Sequence, residues 1–141
     1  MVSLRGTGIG LCLDMSLLLL SVPCDPCPCP RPRISKWGSY YPPRYRRWKK
    51  EFPELLVRQT DLCGLVLPLR GPLEVRIEIH VTRPKTSKLD HPKPDIDNYI
   101  KAVLDGSNKI LWEDDSQITF VSGSKQWGDP SQVVIEVSRV S

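Results

Sequence analysis

The sequence predicts one α/β domain of the α+β kind: a mixed sheet of about four strands packed by two main helices, in the order β-α-β-α-β-β with a C-terminal hairpin. Three observations carry this. LEVRIEIHV, from Leu73 to Val81, alternates apolar and polar side chains, the mark of a strand with one covered face. In PDIDNYIKAVLDGSNKILWEDD, from Pro94 to Asp115, the residues Ile96, Ile100, Val103 and Leu104 fall at helical spacing and predict one buried helix face. After Asp115, SQITFVSGSKQW and SQVVIEVSRV read as two strands joined by GDP, a turn signal that predicts an antiparallel hairpin. A chain of 141 residues has room for one core and not for two comfortable ones.

Taken in order, residues 1–14 hold three glycines and no period, and are expected to be a disordered extension to a domain spanning 15–141. Met15 is a plausible alternative start, opening MSLLLLSVP, a short apolar run that predicts a buried strand. In CDPCPCPRPR, proline takes every second position from Pro26 to Pro32, so this stretch is extended and is neither helix nor central strand. Pro42 and Pro43 precede a helical pattern, with Tyr45, Trp48, Phe52, Leu55 and Leu56 as its buried stripe. Pro53 is expected to end or kink that helix near Phe52. Residues 59–71 are a connector, with Leu65 to Leu69 as a candidate extended piece, and TRPKTSKLDHPKP is a polar loop. His80 falls on the polar face of its strand, where a partly exposed neutral imidazole is the simpler expectation than a ligand.

Composition places the chain among ordinary globular proteins, with 40% hydrophobic and 26% charged residues. The net charge is only +4, but from Arg31 to Lys50 there are eight Lys or Arg and no acid. In that stretch Trp37, Tyr40, Tyr41, Tyr45 and Trp48 interleave with cations, a composition suited to phosphate contact and base stacking; Arg31, Arg33, Lys36, Arg44 and Arg47 are the candidate DNA contacts. A solvated basic helix and loop is the plainer alternative. Four of the five cysteines lie in the first 29 residues, and the odd count argues for a reducing compartment, hence a cytoplasmic protein. Cys24, Cys27 and Cys29, with Cys63 as a fourth ligand, match paired zinc spacing poorly, and incidental reduced thiols fit better. No apolar run is long enough for a membrane span, and Asp14 breaks the stretch that would otherwise resemble a signal peptide.

The acids define the candidate site. Asp97, Lys101, Asp105 and Asn108 recur at about one residue per turn, which gathers them on an exposed strip of the predicted helix. If the turn after Leu111 returns the chain so that Asp114 and Asp115 face that wall, the result is a set of oxygen ligands suited to magnesium. Each acid also has a plainer role: Asp95 as a helix cap, Asp97 as the i,i+4 partner of Lys101, Asp114 and Asp115 as turn residues.

PDIDNYIKAVLD followed by LWEDDSQI resembles the signature of the RusA family of Holliday junction resolvases, small endonucleases of bacteria and phages. The likeness extends from about Met15 to Val137, through the apolar first strand, the PRPR segment and the helix with RYRRWKKEF. The resemblance implies a homodimer that binds four-way DNA junctions in recombination and repair and makes paired nicks with one or two magnesium ions per subunit. Carried over position by position, it puts the essential acids and metal ligands at Asp95, Asp97 and Asp115 and the essential lysine at Lys101, with Asn98, Asp105 and Asp114 in support. Two departures stand out: Gly106 and Ser107, which predict an early end to the helix, and the cysteine-rich loop where relatives carry glycine and basic residues. Two other functions stay open, a non-catalytic junction-binding module and a metal-dependent nuclease for other branched DNA.

Overall fold

A computed structural model describes residues 16–31 and 33–140, with Ser16 and Arg33 described by backbone alone. The predicted extension 1–14 and the alternative start at Met15 lie outside the described residues. The elements are β1 (Ser16–Pro23), β2 (Arg33–Ser35), β3 (Gly38–Tyr40), α1 (Pro43–Thr60), β4 (Leu73–Val81), α2 (Ile96–Ser107), β5 (Ile118–Trp127) and β6 (Gln132–Arg139). The order predicted for the main sheet and helices is present, and β2 and β3 add a small two-stranded arm that the pattern did not announce.

The main sheet runs β1-β6-β4-β5. β4 is at its centre because Leu73, Val75, Ile77 and Ile79 all point to the covered face, each 2% exposed or less. β6 supplies Val133, Ile135 and Val137 to the same layer and pairs antiparallel with both β4 and β1. β5 pairs parallel with β4, from Leu73↔Ile118 to Val81↔Trp127, and forms one edge. The C-terminal strands are consecutive and antiparallel, as expected of a hairpin, but the hairpin is split. β4 lies between its two arms, and the connection crosses the end of β4, where the Gly128 amide donates to the Val81 carbonyl at 2.9 Å. Burial explains the separation, since the apolar faces of β4 and β6 belong together at the centre while no residue of β5 is fully buried.

α1 is one continuous helix of 18 residues with Pro53 inside it, so the expected break near Phe52 does not occur. A proline in a helix interior costs about 3 kcal/mol. The stripe that offsets it runs past the proline on both sides: Tyr45, Trp48, Phe52 and Leu56 are all buried, each full burial contributing about 2 kcal/mol. Trp48 and Phe52 stack at 4.4 Å between ring centroids. α2 likewise does not end early, and it runs to Ser107 through Gly106. That glycine is needed for contact, because a Cβ there would stand 2.6 Å from Cδ2 of Phe52 on α1. The buried face of α2 is Tyr99, Ala102 and Val103, whereas Ile96, Ile100 and Leu104 are only half-covered, so the stripe is rotated from the one predicted. At its sheet side a Cβ at Gly123 of β5 would fall 2.5 Å from Cδ1 of Ile100.

Candidate functional site

α2 is the crossover between two parallel strands, and that fixes where the acids go. It starts where β4 ends and finishes where β5 begins. Asp95 occupies the N-cap position in an extended conformation, φ −66° and ψ 140°, yet its side chain makes no capping hydrogen bond. The capping role considered for Asp95 is therefore not taken up, and its carboxylate stands exposed beside that of Asp97 in the first turn. Asp97 Oδ1 accepts from the Asn98 amide at 3.0 Å. This end of the helix is pinned from two sides. Lys125 Nζ, near the end of β5, donates to the Pro94 carbonyl at 2.6 Å, and the Cys29 amide donates to the Asn98 carbonyl at 2.9 Å. A cleft of about 420 Å³ opens beside it, lined by Arg44, Thr82, Lys93, Pro94, Tyr99 and Trp127 among others.

Lys101 is exposed one turn further along and pairs with Asp105 at 3.3 Å, rather than with Asp97. The hydrogen bond and charge of Asp105 raise the Lys101 ammonium above its ordinary pKa. Asp105 is thereby drawn into a surface pair two turns beyond Asp97.

Asp114 and Asp115 stand at the other end of the crossover. Asp114 caps a 3-10 turn over Asp115–Gln117: its Oδ2 accepts from the Ser116 amide at 3.0 Å, and its own amide donates to Gln117 Oε1 at 2.9 Å. Hydrogen bonding from the Ser116 side chain, and then from its amide, holds the Asp114 carboxyl below its usual pKa. Gln117 in turn donates to the carbonyls of Leu69 and Gly71, at 3.0 and 2.9 Å, tying the turn to the segment that leads into β4. Asp115 Oδ1 accepts the indole N–H of the wholly buried Trp112 at 2.7 Å. The 12 residues of α2 rise about 18 Å, so Asp115 is separated from Asp95 and Asp97 by roughly the length of the helix. The expected return of the chain after Leu111 onto the Asp97 wall does not happen, because a parallel crossover must leave its helix at the end opposite to the one it entered. Among the described residues no three His, Cys, Asp or Glu side chains come together in a way that could hold a metal ion. The donor chemistry, carboxylate oxygen throughout, suits magnesium, but the acids of one chain do not form its cage.

The model of the family described as "Endodeoxyribonuclease RusA" matches residues 23–138, which takes in both acid clusters, both helices, β2 to β5 and β6 up to its last residue, but only the final residue of β1. The chain belongs to the RusA family. It is also similar to an uncharacterised protein, YqaN, of Bacillus subtilis (strain 168), at 39% identity over 49 residues, which is 35% of this chain and 34% of the relative. The chain therefore matches about a third of that relative's length.

In this RusA-family chain the basic candidates divide. Arg31 and Lys36 are exposed on and beside the β2–β3 arm, where Lys36 Nζ lies 4.9 Å from the Trp37 ring centroid. The side chain of Arg33 lies outside the described residues. Arg44 is partly committed to structure, donating to the Pro26 carbonyl at 3.2 Å and pairing with Asp25 at 3.7 Å. Arg47 is exposed on α1 and lines a second cleft with Cys24, Asp25 and Trp48. Cys27 and Cys29 pack into the core and Cys24 is half-buried; burial pushes the Cys24 thiol up to about 12. His80 is half-buried, with hydrogen-bond contacts to Glu78 at 3.1 Å and Gln126 at 3.2 Å.

Sequence reasoning missed two contributors. Trp112 lies inside the LWEDDSQI stretch, but its role is signalled only by its position three residues before Asp115, within reach of one turn. Tyr99, 3% exposed and lining the cleft beside Asp95, sits inside the DNYIK motif and was masked by its charged neighbours.

Proposed function

We propose that this protein is a magnesium-dependent endonuclease that acts as a homodimer, resolving four-way DNA junctions by paired nicks, and that each site takes Asp95 and Asp97 from one copy and Asp115 from the other. The observation that carries this reading is the placement of β5. It is an unpaired edge strand of ten residues with exposed Phe120 and Val121, a ready template for pairing with another chain. Asp115 precedes its first residue, and Lys125 near its last holds the loop that carries Asp95. Two β5 strands paired antiparallel about a two-fold axis would bring the start of each against the end of the other, and so the third acid of one copy toward the first two of its partner. Two equivalent sites related by a dyad match the symmetry of a four-way junction.

In such a site Asp95, Asp97 and Asp115 are the residues that would hold magnesium, which when bound supplies charge stabilisation and an activated water for phosphodiester hydrolysis. The chain's own contributions are distinct from this. Trp112 orients the Asp115 carboxylate, and Lys101, oriented by Asp105, offers positive charge to a phosphate lying over the first turns of α2.

Complementation tests the reading. Asp97→Asn and Asp115→Asn are each expected to bind a labelled four-way junction but not to nick it with magnesium. Mixed after co-refolding, the two variants form heterodimers in which one site carries both changes and the other carries neither, so single-strand nicking returns without paired cuts. If the mixture stays inactive while both parents bind and dimerise, the acids do not come from two copies. If either variant alone nicks at the wild-type rate, the acids are not the site.

A further inference from the structure

We propose that the β2–β3 arm is a base-stacking element, with Trp37 at its tip placed against the open base faces of branched DNA. The proposal rests on the junction-binding reading above and adds to it the part of the chain that would sense the branch point.

Trp37 is 86% exposed and Ile34, on the same arm, 87%. Neither serves the core. The tip is nevertheless built rather than loose. β2 and β3 pair in register from Arg33↔Tyr40 to Ser35↔Gly38. Ser35 Oγ accepts from the Trp37 amide at 3.2 Å and donates to the Gly38 carbonyl at 3.2 Å, closing the turn from inside. Gly38 has φ +115°, a conformation open to glycine and strained for other residues, so the turn depends on it. A large indole is thus held outward on a short, hydrogen-bonded ribbon.

Charge selects the kind of partner. Residues 31–50 contain eight Lys or Arg and no acid. Lys36 lies over the Trp37 ring, and Arg46, Arg47, Lys49 and Lys50 follow as exposed residues on α1. A flat apolar surface set among cations fits a polyanion that also presents π faces, which is nucleic acid. The choice of branched over continuous DNA follows from stacking itself. In an unbroken duplex each base face is covered by its neighbour, so the indole finds nothing to cover; at a branch point the terminal pairs of the arms offer faces.

The test uses the full chain, a labelled four-way junction and a duplex of matched sequence, with no divalent cation present so that nothing is cut. Trp37→Ala is expected to weaken junction binding about 5- to 100-fold, the range for losing one stacked base, with less than about a twofold change on duplex. Trp37→Phe is expected to keep most of the preference, and 2-aminopurine placed at the branch point should dim as the indole of the wild-type chain covers it and not with Trp37→Ala. Equal binding of the junction by Trp37→Ala and wild type overturns the proposal, and so does a loss as large on duplex as on junction. Capture of an acidic protein by the arm, with DNA binding unaffected by Trp37→Ala, overturns it as well. If the wild-type chain itself shows no preference for junctions, the functional reading fails and the arm's role falls with it; retained preference in Trp37→Ala sinks the arm alone.

Discussion

The buried indole of Trp112 donates its N–H to Asp115 Oδ1 at 2.7 Å, so a core residue fixes the direction of a half-buried acid. Trp112 is anchored in turn by its own backbone, whose carbonyl accepts from the Lys109 amide at 2.8 Å. Trp112→Phe keeps an apolar ring in the cavity and removes the donor. The expected result is a loss of about 1–2 kcal/mol in unfolding free energy. Under the proposed function, nicking with magnesium should fall about tenfold or more, the usual effect of releasing a metal ligand from its orienting partner. Denaturant melts and nicking rates measured together check this. Lower stability at an unchanged nicking rate would leave Trp112 a packing residue only.

Gly106 sets the distance between the two helices. Gly106→Ala would gain up to about 1 kcal/mol of helix propensity, but its Cβ meets the Phe52 ring at 2.6 Å, and overpacking of a filled core costs about 1–3 kcal/mol. Phe52 is wholly buried and stacked on Trp48, so it has little room to move aside. Net destabilisation is expected in urea unfolding, with partial recovery in the double variant Gly106→Ala, Phe52→Leu. A more stable Gly106→Ala would mean the helices slide apart freely.

Lys101 gives a prediction in pH. Its folded pKa is raised above the ordinary 10.5, first by the hydrogen bond to Asp105 and then by that residue's charge. A raised lysine contributes stability that is fully present below the ordinary value and is lost as pH climbs through the folded one. The pair is at the surface, so its contribution is about a few tenths of a kcal/mol. Titration of the Lys101 side chain by NMR should show the midpoint move down in Asp105→Asn. An unmoved midpoint would mean the pair does not persist in solution.

The cysteine loop is expected to be chemically quiet. With the Cys24 thiol pushed up to about 12 by burial, and by the charge of Asp25 after it, almost none is thiolate near neutral pH. Iodoacetamide at pH 8 should modify Cys24 far more slowly than a free thiol in a peptide, as read by mass spectrometry of the digested chain. Rapid labelling of Cys24 in the folded chain would contradict the burial.

How far the sequence speaks depends on the length of the pattern. β4 is legible to the residue, since nine positions of strict alternation leave one reading, and its burial follows that alternation. The stripe of α1 is equally legible, and Pro53 misleads only because local chemistry argues for a break that four buried side chains override. The arm of β2 and β3 was not legible, because three-residue strands are shorter than the periods used to find them. Asp95, Asp97 and Asp115 stand out by type and spacing, but whether α2 returns Asp115 to the others depends on β4 and β5 being parallel, and the GDP turn argued for β5 pairing with β6 instead.

The insertion of β6 between β1 and β4 also governs how the chain must assemble. Among the described residues β1 pairs in the sheet with β6 alone, with Val22 opposite Val133, so this strand waits for nearly the whole chain before it finds its place. Contacts so distant along the polymer are slow to close. Until they do, Leu18, Leu20 and Val22 remain open to wrong company, and loss of the last ten residues would detach the front of the molecule along with its back.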